Sequence, residues 1–325
     1  MPHSAELHAV ARARRRHSPA LLAHPNVIGT AAGPQLTGGR PTGDLAVKVY
    51  VERKVPGLVA PAAVPRLVDG VPTDVIETGP ARALPAGGEE QGDGQGSEEG
   101  GRQSGERGGG KDVLGGGDRV GFPGDEGGTI ATVCFDARPE RIGRTGRTGP
   151  TEGKGRIGRP LLLSNHHVLV MAPGTRLRNR LVRPPSPDDV VGRLARAAPL
   201  RPDGPNRVDA ALARLAPDVE VETPEFGPVS EATLAQRVRK NGSSTGITEG
   251  RVQDLDADIV VEVRGRPIRF TGQLVLDLAA RPGDSGSLVV TPDRAPVGLL
   301  FAGTDAFVLA NPIGAVLAAL RIRLP

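Results

Sequence analysis

Ser285 stands in Arg281-Pro282-Gly283-Asp284-Ser285-Gly286-Ser287, followed by the apolar run Leu288-Val289-Val290. A serine between two glycines, ahead of β-branched residues, reads as a tight loop entering a buried strand. Gly283 lets the chain turn so that its N–H and that of Ser285 converge on one point. Two N–H groups beside a hydroxyl are the components of acyl transfer, a nucleophile next to a site for the oxyanion. A serine hydroxyl is a poor nucleophile until a base removes its proton, so the chain must also supply a histidine and a group that orients it. Leu161-Leu162-Leu163-Ser164-Asn165-His166-His167-Val168-Leu169 puts two histidines just beyond an apolar strand, and Asn206-Arg207-Val208-Asp209-Ala210-Ala211-Leu212 puts one carboxylate at the start of another. Each pattern alone has a plain structural reading: a satisfied histidine, a strand-edge carboxylate, a glycine turn. The weight lies in the ordered set His, Asp, Ser, each in the local context the chemistry needs.

The elements that must position these groups are short strands. After Gly128, strand-like runs separated by turn signals fall at 129–136, 160–165, 189–196, 207–215, 236–241, 246–254, 258–264, 267–277, 286–291, 296–303 and 307–310. So many short runs with little helix predict an antiparallel all-β barrel or sandwich. Only Pro312 to Ile322 reads as helix at the end, with Pro312 suited to a first turn. Ahead of Gly128, residues 4–23 have helical character, and strands are expected at 27–30, 45–51 and 71–76, the first two joined by a hairpin-like Gly38-Gly39-Arg40-Pro41-Thr42-Gly43. That makes residues 1–78 a small α+β unit. Residues 79–127 are Gly, Glu, Gln, Ser and Asp with almost nothing to bury, and read as a flexible linker. Residues 141–159 repeat Gly-Arg-Thr-Gly units between two strand candidates and read as an overgrown hairpin loop.

Composition narrows the class further. The 325 residues are 38% apolar with no Trp, one Tyr and six Phe, so the core must be built from Val, Leu, Ile and Ala. The formal net charge of +4 is spread through glycine-rich loops, and the one dense cluster, Arg12-Ala13-Arg14-Arg15-Arg16, reads as a solvated helix face, so nucleic acid is not an expected partner. Cys134 is alone, which rules out an intrachain disulfide and suits a reducing, cytoplasmic compartment. No apolar run approaches the ~20 residues that span a bilayer, and no signal peptide is visible. Asn241-Gly242-Ser243-Ser244-Thr245-Gly246 lacks the lysine and following helix of a phosphate loop and reads as a turn between strands. His3, His8, His17 and His24 have no ligand spacing, so neither a metal nor another cofactor is expected.

With these motifs in hand, the region from Gly128 onward resembles the trypsin-like serine peptidases of the chymotrypsin family, and within it a bacterial group related to the plant narrow-leaf proteases. Asn26-Val27-Ile28-Gly29, Tyr50-Val51-Glu52-Arg53-Lys54-Val55-Pro56 and Val71-Pro72-Thr73-Asp74-Val75-Ile76-Glu77 are similar to the preceding unit of that group. The resemblance implies a mainly β fold of two antiparallel six-stranded barrels, with His167 and Asp209 in the first (128–222) and Ser285 in the second (223–325, with the C-terminal helix). It implies a peptide or protein substrate, Ser285 as nucleophile, His167 rather than His166 as base, Asp209 as its orienter, and Gly283 and Ser285 N–H groups as the oxyanion site. The substrate pocket would be lined by Ala279, Phe301, Ala302 and Gly303. Ala279 falls where trypsin has an acidic residue, so selection for Lys or Arg is not expected. Phe301 falls where many relatives have a serine that supports the aspartate. Asp284, which in secreted relatives pairs with a newly cut N-terminus, has ordinary sequence ahead of it here. A peptide-binding scaffold lacking catalysis is the alternative, and the oligomeric state is left open.

Overall fold

The computed structural model describes residues 2–57, 63–84, 113–122, 127–137, 160–170, 180–184, 186 and 188–325. The expected hairpin loop 141–159 and the middle of the expected linker, 85–112, lie outside them. The fold is mainly β with few helices.

Two strand sets carry the site. The first runs in the order Arg180–Val182, Val190–Ala197, Ala211–Leu215, Leu161–Ser164, Thr132–Asp136, Ile322–Arg323. Thr132–Asp136 and Leu161–Ser164 are antiparallel partners, as their placement on either side of residues 141–159 predicted. The last strand comes from the end of the chain. It follows the helix Ile313–Leu320, whose Ile313, Val316 and Leu320 pack with Leu161, Leu163 and Leu212. Positions 313, 316 and 320 form one apolar stripe at helical spacing, and the helix also lies against Pro296–Gly303 and Val308–Pro312 of the second set. The C-terminal helix therefore packs against both sets, sharing a core with Leu161, Leu163 and Leu212 of the first and Leu288 and Leu299 of the second.

In the second set, Arg237–Gly242, Leu288–Val290, Pro296–Gly303, Val308–Pro312, Arg266–Leu276 and Gly246–Val263 pair antiparallel in that order, and Gly246–Val263 pairs back onto Arg237–Gly242 to close the circuit. The runs expected at 246–254 and 258–264 are one strand of 18 residues. The supposed break is a bulge: pairing register shifts between Val252 and Asp258, and Asp256 adopts φ 52°.

The N-terminal residues do not stand apart. The strands Val27–Thr37 and Arg40–Val51 form a hairpin, and Val71–Glu77 pairs parallel to its second strand. Val27–Thr37 in turn pairs with Gly246–Val263, so the hairpin extends the sheet of the second set. The helix Pro2–Leu21 covers this sheet through Val10, Ala13 and Leu21. Its arginine cluster is not simply a solvated face: Arg14 is buried, 2.6 Å from Asp256, and Ser18 donates to Asp258 at 2.6 Å. A hairpin this small lacks the core to stand alone, and lending its edge to a larger sheet supplies one.

The expected linker 79–127 is likewise structured at both described ends. Ala81 and Leu114 are buried, Arg119–Val120 pairs with Gly128–Thr129, and Arg82–Ala83 lies between Gly246–Val263 and Pro296–Gly303. Glycine-rich composition dominates the tract as a whole and hides these few apolar residues.

Candidate active site

The strand Leu161–Ser164 ends in Asn165 and a single helical turn, His166–Leu169. The adjacent strand Ala211–Leu215 is its antiparallel neighbour, with Ala211 opposite Ser164, which brings Asp209 level with the turn. His167 Nδ1 and Asp209 Oδ2 are 2.6 Å apart with both side chains fully buried, and the His167 backbone N–H donates to Asp209 Oδ1 at 3.1 Å. Burial pushes the Asp209 carboxyl up, but the charge and hydrogen bonds of His167 outweigh it and hold the group below its ordinary value. Asp209 is therefore a carboxylate that accepts the Nδ1 proton, and in the neutral imidazole that tautomer makes Nε2 the acceptor. Nε2 has no hydrogen-bond partner among the described residues. His166 faces elsewhere, its Nδ1 at 2.7 Å from the Ala198 carbonyl, so the pair of histidines divides into one orienting contact and one structural contact.

Three amides that sequence reasoning passed over hold Asp209 in place. Asn165 donates to its carbonyl at 2.6 Å, Asn311 accepts its N–H at 2.9 Å, and Asn311 in turn donates to Gln273 at 2.6 Å. Asn311 and Gln273 belong to the second strand set, so the aspartate is gripped from both halves. The signal was a fully buried amide in an otherwise apolar strand, Val308–Pro312.

Ser285 comes from the loop ahead of Leu288–Val290. Gly283 and Gly286 hold φ 98° and 96°, a region closed to most side chains, and a Cβ at Gly286 would sit 2.1 Å from the Thr129 carbonyl. The loop seats against the segment ahead of the histidine turn: Thr129 N–H donates to the Ser285 carbonyl at 2.7 Å, and Gly128 is wedged between that carbonyl and Val168. Ser285 is fully buried, and its Oγ donates to the Phe301 carbonyl at 3.1 Å rather than to His167.

The loop is braced through Asp284. Lys240 Nζ lies 3.0 Å from Asp284 Oδ2, both side chains with no exposure, and Asp284 also accepts from Thr245 Oγ1 and from the N–H groups of Arg281, Ser244 and Thr245. Burial raises the Asp284 carboxyl, yet these donors and the Lys240 charge hold it below its ordinary value. The turn after Asn241 thus does bind an anion, and the anion is Asp284 itself. Lys240 supplies from within the chain the cation that Asp284 needs. It was legible in the strand Arg237–Gly242, where Val238, Lys240 and Gly242 alternate inward.

The remaining expected residues are spread more widely. Ala279 is exposed, its carbonyl accepting from Thr248. The Phe301 ring turns into the core against Phe270, centroids 4.8 Å apart, so position 301 gives the site only a carbonyl. Ala302 and Gly303 are buried and pair in antiparallel register with Ala83 and Arg82. The Gly283 N–H donates at 2.8 Å to the Leu84 carbonyl. Cys134 is buried with its thiol pushed up to about 12 by burial, and among the described residues no cluster of His, Cys, Asp or Glu could hold a metal ion.

No protein-family model matches the sequence, and no curated protein matches it. Among solved structures the chain is distantly similar to bacterial serine proteases of the chymotrypsin fold. Cellulomonas bogoriensis chymotrypsin is 14% identical with a TM-score of 0.44, the alignment covering 66% of this chain and 99% of that one. Thermobifida fusca protease A is 15% identical with a TM-score of 0.46, covering 66% and 98%, and the Nocardiopsis protease is 14% identical with a TM-score of 0.45, covering 66% and 99%.

Proposed function

We propose that the chain is a serine endopeptidase with two antiparallel barrels of the chymotrypsin type, akin to the bacterial group related to plant narrow-leaf proteases. The observation that carries this reading is the fully buried His167–Asp209 pair at 2.6 Å, which leaves Nε2 as a free acceptor. Beside it stands a serine loop whose two positive-φ glycines are held in place by Lys240 and Asp284. In this reading Ser285 Oγ leaves the Phe301 carbonyl and donates instead to His167 Nε2, as a hydrogen-bonded triad requires. Nε2 takes the hydroxyl proton as Oγ adds to the peptide carbonyl, and the carbonyl oxygen, now an anion, receives the Gly283 and Ser285 N–H groups. The imidazolium, stabilised by Asp209, returns its proton to the departing amine, leaving an acyl-Ser285 ester that water opens with His167 again acting as base. The chemistry uses no metal or cofactor. The lone, buried Cys134 fits a cytoplasmic location.

A second reading, a peptide-binding module without catalysis, draws on the Ser285 Oγ bond to the Phe301 carbonyl. Profiling a random peptide library against the wild type and Ser285→Ala separates the two. The hydrolase reading expects Ser285-dependent cleavage; peptide retention with no cleavage by either protein favours the binding module.

A further inference from the structure

The acyl side of the cleft holds a piece of this chain. Ala81 is buried in the core of the second strand set, and from it Arg82 and Ala83 run antiparallel to Gly303 and Ala302. Leu84 N–H then donates to the Phe301 carbonyl at 3.4 Å, and the Leu84 carbonyl accepts the Gly283 N–H at 2.8 Å. That last contact sets the register. In the acyl transfer proposed above, the Gly283 N–H receives the oxygen of the carbonyl under attack, so the Leu84 carbonyl occupies the position of a substrate's reacting carbonyl. The residues before it form backbone pairs of the kind an extended peptide makes when it adds to a strand edge. The Leu84 side chain reaches the Gly303 wall, its Cδ1 3.5 Å from where a Cβ would stand on that glycine.

Two features keep this strand from reacting. Ser285 Oγ is engaged with the Phe301 carbonyl, the same acceptor that anchors Leu84 N–H, so the hydroxyl is not activated while the strand is seated. The strand is also held on its outer edge: Glu262 N–H donates to the Ala81 carbonyl at 2.8 Å, and Arg82 pairs with Glu262. We infer that Arg82–Leu84 is a built-in competitor, an internal substrate-like strand that keeps the cleft closed until it is withdrawn. By the same geometry the pocket takes leucine-class side chains on the acyl side of the bond. This rests on the peptidase reading for the word substrate, but the occupancy itself can be tested without catalysis.

The test uses the full chain with Ser285→Ala, alone and combined with Leu84→Asp or Leu84→Gly, and thermal unfolding verifies that each is folded. The probe is a fluorescent peptide, Ala-Arg-Ala-Leu-amide, copied from residues 81–84. Leu84→Asp places a charge against the apolar wall, and Leu84→Gly removes the anchor. Both should bind the peptide at least tenfold more tightly than Ser285→Ala alone, and replacing the peptide's leucine with lysine should abolish the gain. Equal binding to all three proteins, or binding to none, overturns the proposal. In the Ser285 background the Leu84 variants should react with a fluorophosphonate at least tenfold faster than wild type. If binding rises as expected while no protein reacts, the peptidase reading fails and the competitor strand stands.

Discussion

Lys240→Met removes the cation from a buried ion pair while preserving most of the apolar stem. In the wild type, Lys240 and Asp284 are both wholly buried and 3.0 Å apart, and Asp284 is the residue between the two groups that the mechanism needs, Gly283 and Ser285. Removing one partner of a buried pair costs about 3–5 kcal/mol, because the other charge is left uncompensated. Asp284 would keep four donors, Thr245 Oγ1 and the N–H groups of Arg281, Ser244 and Thr245, so the lower end of that range applies. A loss of about 3 kcal/mol corresponds to a fall in melting temperature of roughly 4 °C for a chain of this size. The carboxyl of Asp284 would rise toward protonation, its donors would loosen, and Gly283 would lose the φ that aims its N–H. Reaction with a fluorophosphonate should slow by at least tenfold at a temperature where the variant is folded. The double variant Lys240→Met, Asp284→Asn should recover stability, since no charge is stranded, but not reactivity. A single variant with unchanged melting temperature and unchanged reactivity would refute the claim that this pair holds the loop.

Asp209→Asn preserves shape but favours the wrong imidazole tautomer, so turnover should fall about 10⁴-fold with little change in KM, read by steady-state kinetics on a leucine peptide anilide. Gly286→Ala forces a side chain to φ 96° and against the Thr129 carbonyl, and should lose reactivity and several kcal/mol of stability in urea unfolding (about 3 or more). Asp254 is buried, accepts the Tyr50 hydroxyl at 2.6 Å, and has its carboxyl pushed up to about 6 by burial. A raised carboxyl binds its proton more tightly in the folded chain, so this contribution is full below about pH 4 and is lost as pH rises through about 6. Asp254→Asn should therefore be more stable than wild type at pH 7, by up to about 3 kcal/mol, with the difference gone at pH 4. Urea unfolding at the two pH values reads it directly.

The legible parts of the site were those written as short local motifs. The apolar strand before His167, the carboxylate opening the strand at 211–215 and the glycines around Ser285 each encode their own geometry, and the structure brings His167 and Asp209 into contact. What stayed hidden depends on pairing across long sequence distance. Arg82–Ala83 has partners near 262 and 302, and two residues show no period. Asn311 and Gln273 look like ordinary polar interruptions until Asp209 is seen between the two halves. The bulge at Asp256 read as a loop because a positive φ in a long strand leaves the same polar signature as a turn. Tertiary context, rather than local propensity, decides such positions.

The central claim is that His167 and Asp209 activate the Ser285 hydroxyl toward acyl-type electrophiles. Intact-mass analysis of the wild type and Leu84→Asp after fluorophosphonate treatment, with peptide mapping, tests it most directly. The account predicts one adduct, on Ser285, absent from Ser285→Ala and strongly reduced in His167→Ala. An adduct that persists in Ser285→Ala, or no adduct on either protein, would contradict it.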